Sequence, residues 1–376
     1  MTSKILSRTQ KTYSSIKLPS WLEFQFGTWI AKKLTQFVES QTPPDLRLID
    51  MSTTYEQARC LYVVAKLKLA DCLVDGSRDI ESLADELNVQ SAPLDRILRY
   101  LHELGIFGLD SAGRYHLNKV SEFLISDHPQ SMRAIIILNN EEAYTAWGNL
   151  LHTVKTGQNT FIHTYQMPFY EYHKTHIESA DIFDRAMTSV SIVPDQAVAE
   201  DYDFSIYRTL SDIGGGRGSL LRQILQRHTS IQGILFDSAS VLTDEVRQQW
   251  RHDPLSKRVK LQIGDFFKSV PEDIDAYLLK GVIHNWPDDK VVQIYKTIHQ
   301  AMKPKARLLL AEMVIVDNNP LQRIKLNLDV NMMVIHSGQE RTAAQHCLLL
   351  KESGFKITKI VPTRSLYSVI EAQPVL

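Results

Sequence analysis

The sequence predicts an α/β protein. Its C-terminal half reads as a Rossmann-like, doubly wound sheet, mostly parallel and finished by an antiparallel hairpin, behind a helical domain with a winged-helix core. Three observations carry this. From about residue 205 short apolar strands alternate with helices, the signature of a parallel sheet. Strand "TLSDI" runs through "GGGRG" into helix "SLLRQILQRH", a glycine-rich turn between strand and helix. The last two strands, "FKITKIV" and "SLYSVIEA", are separated only by "PTR", too short for a parallel crossover, so they must form a hairpin.

The chain of 376 residues is long enough for two domains with substantial cores, and 44% hydrophobic and 23% charged residues are ordinary for a globular protein. A net charge of -1 gives no electrostatic case for nucleic acid or an anionic membrane as the main partner. Cys60, Cys72 and Cys347 form no CxxC pair, which suggests neither a disulfide framework nor a cysteine zinc site. A reducing cytosol is the simplest compartment for such a chain, and no apolar run approaches the roughly 20 residues of a membrane span. Three regions are expected: an extension over 1–44, a helical domain over 45–200 and the α/β domain over 201–376.

The first twenty residues carry Lys4, Arg8, Lys11 and Lys17 and no acid, which reads as a disordered tail rather than a transit peptide. Residues 21–39 read as an amphipathic helix with Leu22, Phe26, Trp29, Ile30, Leu34 and Phe37 on one face. Its polar face is not basic, so packing on the body or on a second subunit is expected before membrane docking. "QTPPD" ends it.

In the helical region, residues 78–118 read helix, turn, helix and a small hairpin at "SAG", with Ser91 and Pro93 at the cap and first turn of the second helix. This winged-helix outline raises a DNA-binding function. The second helix, however, mixes Arg96 and Arg99 with Asp95 and Glu103 and lacks the basic excess of a DNA reader. His173 and His176 stand three apart between Glu171 and Glu178, but two histidines without a third ligand read as a solvated helix face.

The functional residues collect at one edge of the sheet. Gly214, Gly216 and Gly218 allow a tight turn and a close backbone approach, but their GxGxG spacing lacks the ending of a pyrophosphate turn. Asp237 ends the next strand, 19 residues after Gly218, where a carboxylate suits a ribose diol. Asp265 is expected at the end of the third strand, within reach of an adenine amino group. His284 and Glu312 finish, or nearly finish, the fourth and fifth strands. Ligands of open α/β sheets bind at the carboxyl ends of the strands, so these four polar residues read as one site.

In order along the chain, "DIGGGRG", "LFD", "GDFF", "LLKGVIHNW", "LLLAEMV" and "GQERTAAQHCLLLKESGF" resemble the small-molecule O-methyltransferases of the caffeic-acid and bacterial natural-product type. The resemblance runs from about residue 45 to the C-terminus. It implies a class I methyltransferase sheet, an N-terminal dimerisation domain, a homodimer, and S-adenosylmethionine in the glycine-rich site. It places Gly214 and Gly216 near the methionine and ribose part, Asp237 on the ribose hydroxyls, and Asp265 and Phe266 on the adenine. Lys280 and Trp286 would line the same pocket, although core packing is an equal alternative for Phe266 and Trp286.

By the same resemblance His284 is the general base. Glu312 and Glu340 would flank and orient it, while Met187 and His336 would face a hydroxylated small-molecule acceptor. A histidine suits the task, because free phenols titrate near pH 10 and a base near neutrality contributes about 10²–10⁴-fold. One position departs from the family pattern, in which an aspartate usually follows the histidine: here it is Asn285. Loss of that carboxylate would lower the pKa of His284 if the side chain pointed inward. The resemblance also reaches proteins that bind S-adenosylmethionine yet hydroxylate, decarboxylate or catalyse pericyclic steps, which keeps a non-methylating alternative open.

Overall fold

The computed structural model describes residues 17–375, so most of the basic N-terminal tail lies outside the described residues. Helix α1 (Trp21–Gln41) starts on a capping box. The Ser20 hydroxyl accepts the Glu23 amide while the Glu23 carboxylate accepts the Ser20 amide. Thr42 and Pro43 separate it from α2 (Pro44–Lys66), which opens on a proline. None of the α1 residues is buried, so its apolar face does not pack on the body of its own chain.

The winged-helix unit comprises α3 (Leu69–Cys72), α4 (Ile80–Leu87), α5 (Ser91–Glu103) and the hairpin β1 (Gly108–Leu109) with β2 (Tyr115–His116). Leu83, Leu94, Leu98, Leu101 and Tyr115 share its core, as the helical spacing requires. Ser91 is the first helical residue rather than the cap, since Gln90 holds that position without a side-chain bond. Two charges on α5 are spent locally: Arg99 pairs with Asp95 at 3.0 Å and the Tyr115 hydroxyl donates to the same carboxylate.

Five short helices follow: α6 (Arg133–Asn140), α7 (Glu142–Gly148), α8 (Leu150–Thr156), α9 (Thr160–Tyr165) and α10 (Phe169–Thr175). The long α11 (Ile177–Asp201) then runs into the α/β part, which contains β3 (Thr209–Ile213), α12 (Ser219–Arg227), β4 (Gln232–Asp237), α13 (Asp244–His252), β5 (Val259–Ile263), β6 (Ala276–Lys280), α14 (Asp288–Ala301), β7 (Arg307–Glu312), α15 (Gln322–Ile335), α16 (Ala343–Glu352), β8 (Phe355–Pro362) and β9 (Ser368–Pro374).

The seven strands lie in the order β5-β4-β3-β6-β7-β9-β8. All pairs are parallel except those of β9, which inserts antiparallel between β7 and β8. This is the mostly parallel sheet with a C-terminal hairpin that the sequence predicts. Alternate residues feed opposite layers: Tyr277 and Leu279 join the core under α14 and α16, whereas Ala276 and Leu278 join the core under α12.

Three strands end earlier than the apolar runs suggest. β6 stops at Lys280 because Gly281 adopts φ +60°, and Ile283–Asn285 form a 3-10 turn, so His284 stands on a turn and not on a strand. β5 stops at Ile263, two residues before Asp265. β7 ends on Glu312, and Met313 and Val314 leave the sheet. No helix among the described residues is long and apolar enough to cross a membrane.

Candidate active site

The turn after β6 is held from three sides. Glu312, buried at the end of β7, accepts the backbone amides of Val282 at 3.2 Å and Ile283 at 2.9 Å. Two donors that an extended strand would pass to its neighbour are thereby satisfied by a side chain. Asn285 donates its amide to the Gly281 carbonyl at 3.0 Å. Arg341, almost fully buried, donates to the carbonyls of Ile283 and Trp286 and pairs with Asp288 at 2.7 Å.

Into this turn projects His284, whose Nδ1 lies 2.7 Å from Oε1 of Glu340. Its Nε2 is on the side of Gly281. Burial alone would lower the pKa of His284, but the Glu340 bond and the charges of Glu340 and Glu312 outweigh it and hold the pKa above the ordinary value. Burial pushes Glu312 up to about 7, and its Oε2 has no hydrogen-bond partner. Atoms of His284, Glu312 and Glu340 converge within 4.8 Å of one another. The two acids differ in what they do: Glu340 bonds the ring, whereas Glu312 shapes the turn and acts on the ring through charge alone.

The expected cofactor residues divide. Gly216 donates its amide to Asp237 at 2.9 Å, and a side chain built at Gly216 would meet open space, so this face of the turn is free to receive a ligand. Asp237 also accepts the Ser238 amide; burial raises its pKa and the two amides oppose that rise. Gly218 faces the other way. A Cβ there would come within 2.6 Å of Trp250, which makes this glycine a packing requirement of α12 against β4 and α13.

Phe266 and Trp286 meet edge to face at 6.2 Å beside Phe267 and are only partly buried. Asp265 is half-exposed; burial pushes its pKa up, but the Lys268 ammonium at 3.0 Å and the Phe267 amide together outweigh it and hold the carboxyl below its ordinary value. Lys280 turns towards α11, where its ammonium meets buried Asp195 at 2.6 Å and the Ser191 hydroxyl at 3.0 Å. Beneath the glycine turn, burial and the charge of Asp195 raise Asp212 to about 7.

Next to His284 lies an aromatic wall. His336 ends α15 and packs against Phe169 at 4.5 Å and Tyr170 at 5.2 Å, while Tyr170 stacks on Trp286 at 6.2 Å. Burial lowers the pKa of His336 to about 3, so it is a neutral hydrogen-bonding group at physiological pH. Met187 is partly buried with Ile135 and Phe183 where α6 meets α11. His173 and His176 do not form a ligand pair. His173 bonds the Phe169 carbonyl and faces Ser179, and His176 stacks on Tyr172.

Sequence reasoning does not reach four supporting residues: Arg341, Asp329, Gly338 and Tyr170. Asp329 accepts the Glu340 amide at 2.8 Å. A Cβ on Gly338 would fall 1.9 Å from the His284 carbonyl oxygen, so only glycine lets the Glu340 loop approach the histidine turn. The "GQERT" run contains two of the four, but their partners are about fifty residues away.

A family model for an O-methyltransferase domain matches residues 147–356, and one for an O-methyltransferase dimerisation domain matches residues 49–127. The phenazine O-methyltransferase PhzM of Lysobacter antibioticus is 34% identical over 87% of this chain and 96% of its own length. The crystal structure of LaPhzM superposes with a TM-score of 0.84 at 33% identity, over 89% of this chain and 100% of that one. NcsB1, an O-methyltransferase from neocarzinostatin biosynthesis solved with S-adenosylmethionine and 2-hydroxy-5-methyl naphthoic acid, gives a TM-score of 0.74 at 26% identity over 85% of this chain and 96% of that one. The aclacinomycin 10-hydroxylase RdmB of Streptomyces purpurascens is 31% identical over 75% of this chain and 76% of its own length. The chain therefore belongs to the O-methyltransferase family, with the family's dimerisation domain in front of its O-methyltransferase domain.

Proposed function

We propose that this protein transfers a methyl group from S-adenosylmethionine to a hydroxyl of a small aromatic or polyketide-like metabolite, with His284 as the general base. The observation that carries the reading is the 2.7 Å bond from His284 Nδ1 to buried Glu340. It fixes the neutral ring with its proton on Nδ1, which leaves the lone pair on Nε2 to take a proton. As the acceptor oxygen bonds to the methyl carbon, its proton passes to Nε2, and Glu340 and Glu312 stabilise the imidazolium that forms.

The cofactor reading rests on the open side of Gly216 and on Asp237, whose oxygens each accept one amide and keep a second lone pair for a ribose hydroxyl. When bound, S-adenosylmethionine supplies a sulfonium-activated methyl group for in-line displacement. The wall of Phe169, Tyr170, Trp286 and His336 suits a flat aromatic acceptor held by ring contacts, which supplies orientation.

Asn285 does not argue for other chemistry. Its donated bond to Gly281 is one an ionised aspartate cannot make, so the residue serves the turn. A hydroxylase-type reaction remains the second reading, favoured only by the likeness to RdmB. The test is to incubate the protein with S-adenosylmethionine and a panel of phenols and polycyclic hydroxyaromatics. Acceptor-dependent release of S-adenosylhomocysteine supports methyl transfer. A modified acceptor formed without cofactor consumption would establish the second reading instead.

A further inference from the structure

Helix α1 is mounted inside out. A surface helix ordinarily turns its apolar stripe to the core and its polar stripe to water. Here the polar stripe meets the body: Lys32 Nζ donates to the Asn318 carbonyl at 3.0 Å, and Glu39 takes Arg323 at 2.9 Å and Arg47 at 3.1 Å. The approach to the helix is pinned as well, because Arg364 donates to the Pro19 carbonyl at 2.9 Å. The opposite face is left bare, with Leu22 77%, Phe26 58%, Leu34 59% and Phe37 62% exposed.

Exposed apolar residues also follow the Pro43–Pro44 junction at the start of α2, where Leu46, Leu48 and Ile49 are 54–69% exposed. Exposed apolar side chains gathered on one helix face in this way mark a binding face. Its charge speaks against a lipid surface. α1 carries two lysines and two glutamates, and one lysine and both glutamates are engaged with the chain itself. The matched dimerisation domain begins at residue 49, inside α2, so α1 leads directly into the part of the chain that the family uses for dimerisation.

We infer that the outward face of α1 packs against a second copy of this chain, extending the dimer interface to residues that precede the family's dimerisation region. The polar contacts to Asn318 and Arg323 then set the angle at which α1 is presented to the partner. They also tie that interface to α15, whose Asp329 holds the Glu340 amide.

The inference is tested on the full chain by sedimentation equilibrium over a concentration series, comparing wild type with Phe26→Glu/Leu34→Glu and with the uncharged Phe37→Ser/Val38→Ser. These side chains are exposed in the single chain, so circular dichroism and the melting of the isolated subunit should be unaltered. The expected result is a wild-type dimer whose dissociation constant rises at least about 100-fold in both variants, as for apolar residues central to an interface. Variants that dimerise as tightly as wild type, or a wild type that stays monomeric at high concentration, overturn it. So does a wild-type chain that co-sediments with phosphatidylcholine–phosphatidylglycerol vesicles while the variants do not, which would give the face to a membrane.

Discussion

At the scale of single residues, the account turns on how one imidazole is charged and held. The pKa of His284 is raised, so the ring is cationic up to a pH above the ordinary value of about 6.5 and acts as a base only beyond it. The rate should therefore rise through an acid limb set by this group. Glu340→Gln keeps an acceptor for Nδ1 but removes a charge, so the limb of kcat/KM should move to lower pH while the plateau falls. A limb that stays in place would separate Glu340 from the titration of the base.

Asn285→Asp tests the other neighbour. The variant loses the donor to Gly281, and a lost hydrogen bond at a partly buried site costs about 1–3 kcal/mol, measurable by urea denaturation. A variant as stable as wild type would mean that the amide does not hold the turn.

At the scale of elements, the site is two loops pressed together: the turn after β6 and the loop after α15. Gly338→Ala places a carbon on the His284 carbonyl, so the loops must part. We expect destabilisation of about 1–3 kcal/mol together with a loss of turnover, with stability read by denaturation and activity by methyl transfer. Glu312 yields a pH prediction. Its folded pKa of about 7 exceeds the unfolded value near 4.3, so between those values the folded chain holds more protons and stability falls as pH rises. Glu312→Gln removes that dependence, so the variant's stability relative to wild type should grow from pH 5 to pH 8. A constant difference would contradict burial as the cause.

Most strands were legible because β-branched and leucine-rich runs bounded by glycine or aspartate report burial directly, as "TLSDI" and "GILFD" do. The end of β6 was not legible, because "GVI" is as apolar as the strand before it. Only the Gly281 conformation and the reach of Glu312 from another strand break the run. The packing demand at Gly218 was not legible either: a glycine in a ligand turn and a glycine packed under Trp250 look the same in one dimension.

At the scale of the whole molecule, the alternation of elements and the final hairpin predicted the sheet, and the order of six short motifs pointed to the family. His284 and Glu312 were legible as neighbours at one sheet edge, whereas Glu340 joined them through the resemblance alone, since its approach depends on loop contacts that no local pattern encodes. The outward face of α1 was legible as an amphipathic helix, but which side met the body was not. That choice is made by Asn318 and Arg323, nearly three hundred residues away.

The central claim is that His284 takes the proton during methyl transfer. Its most direct test is the transfer of a labelled methyl group from S-adenosylmethionine to pooled phenolic metabolites by wild type and His284→Ala. We predict transfer by the wild type and a loss of about 10²–10⁴-fold in the variant, with cofactor binding retained. Transfer that survives the substitution within a few fold would contradict the account, because the site would then only position its substrates.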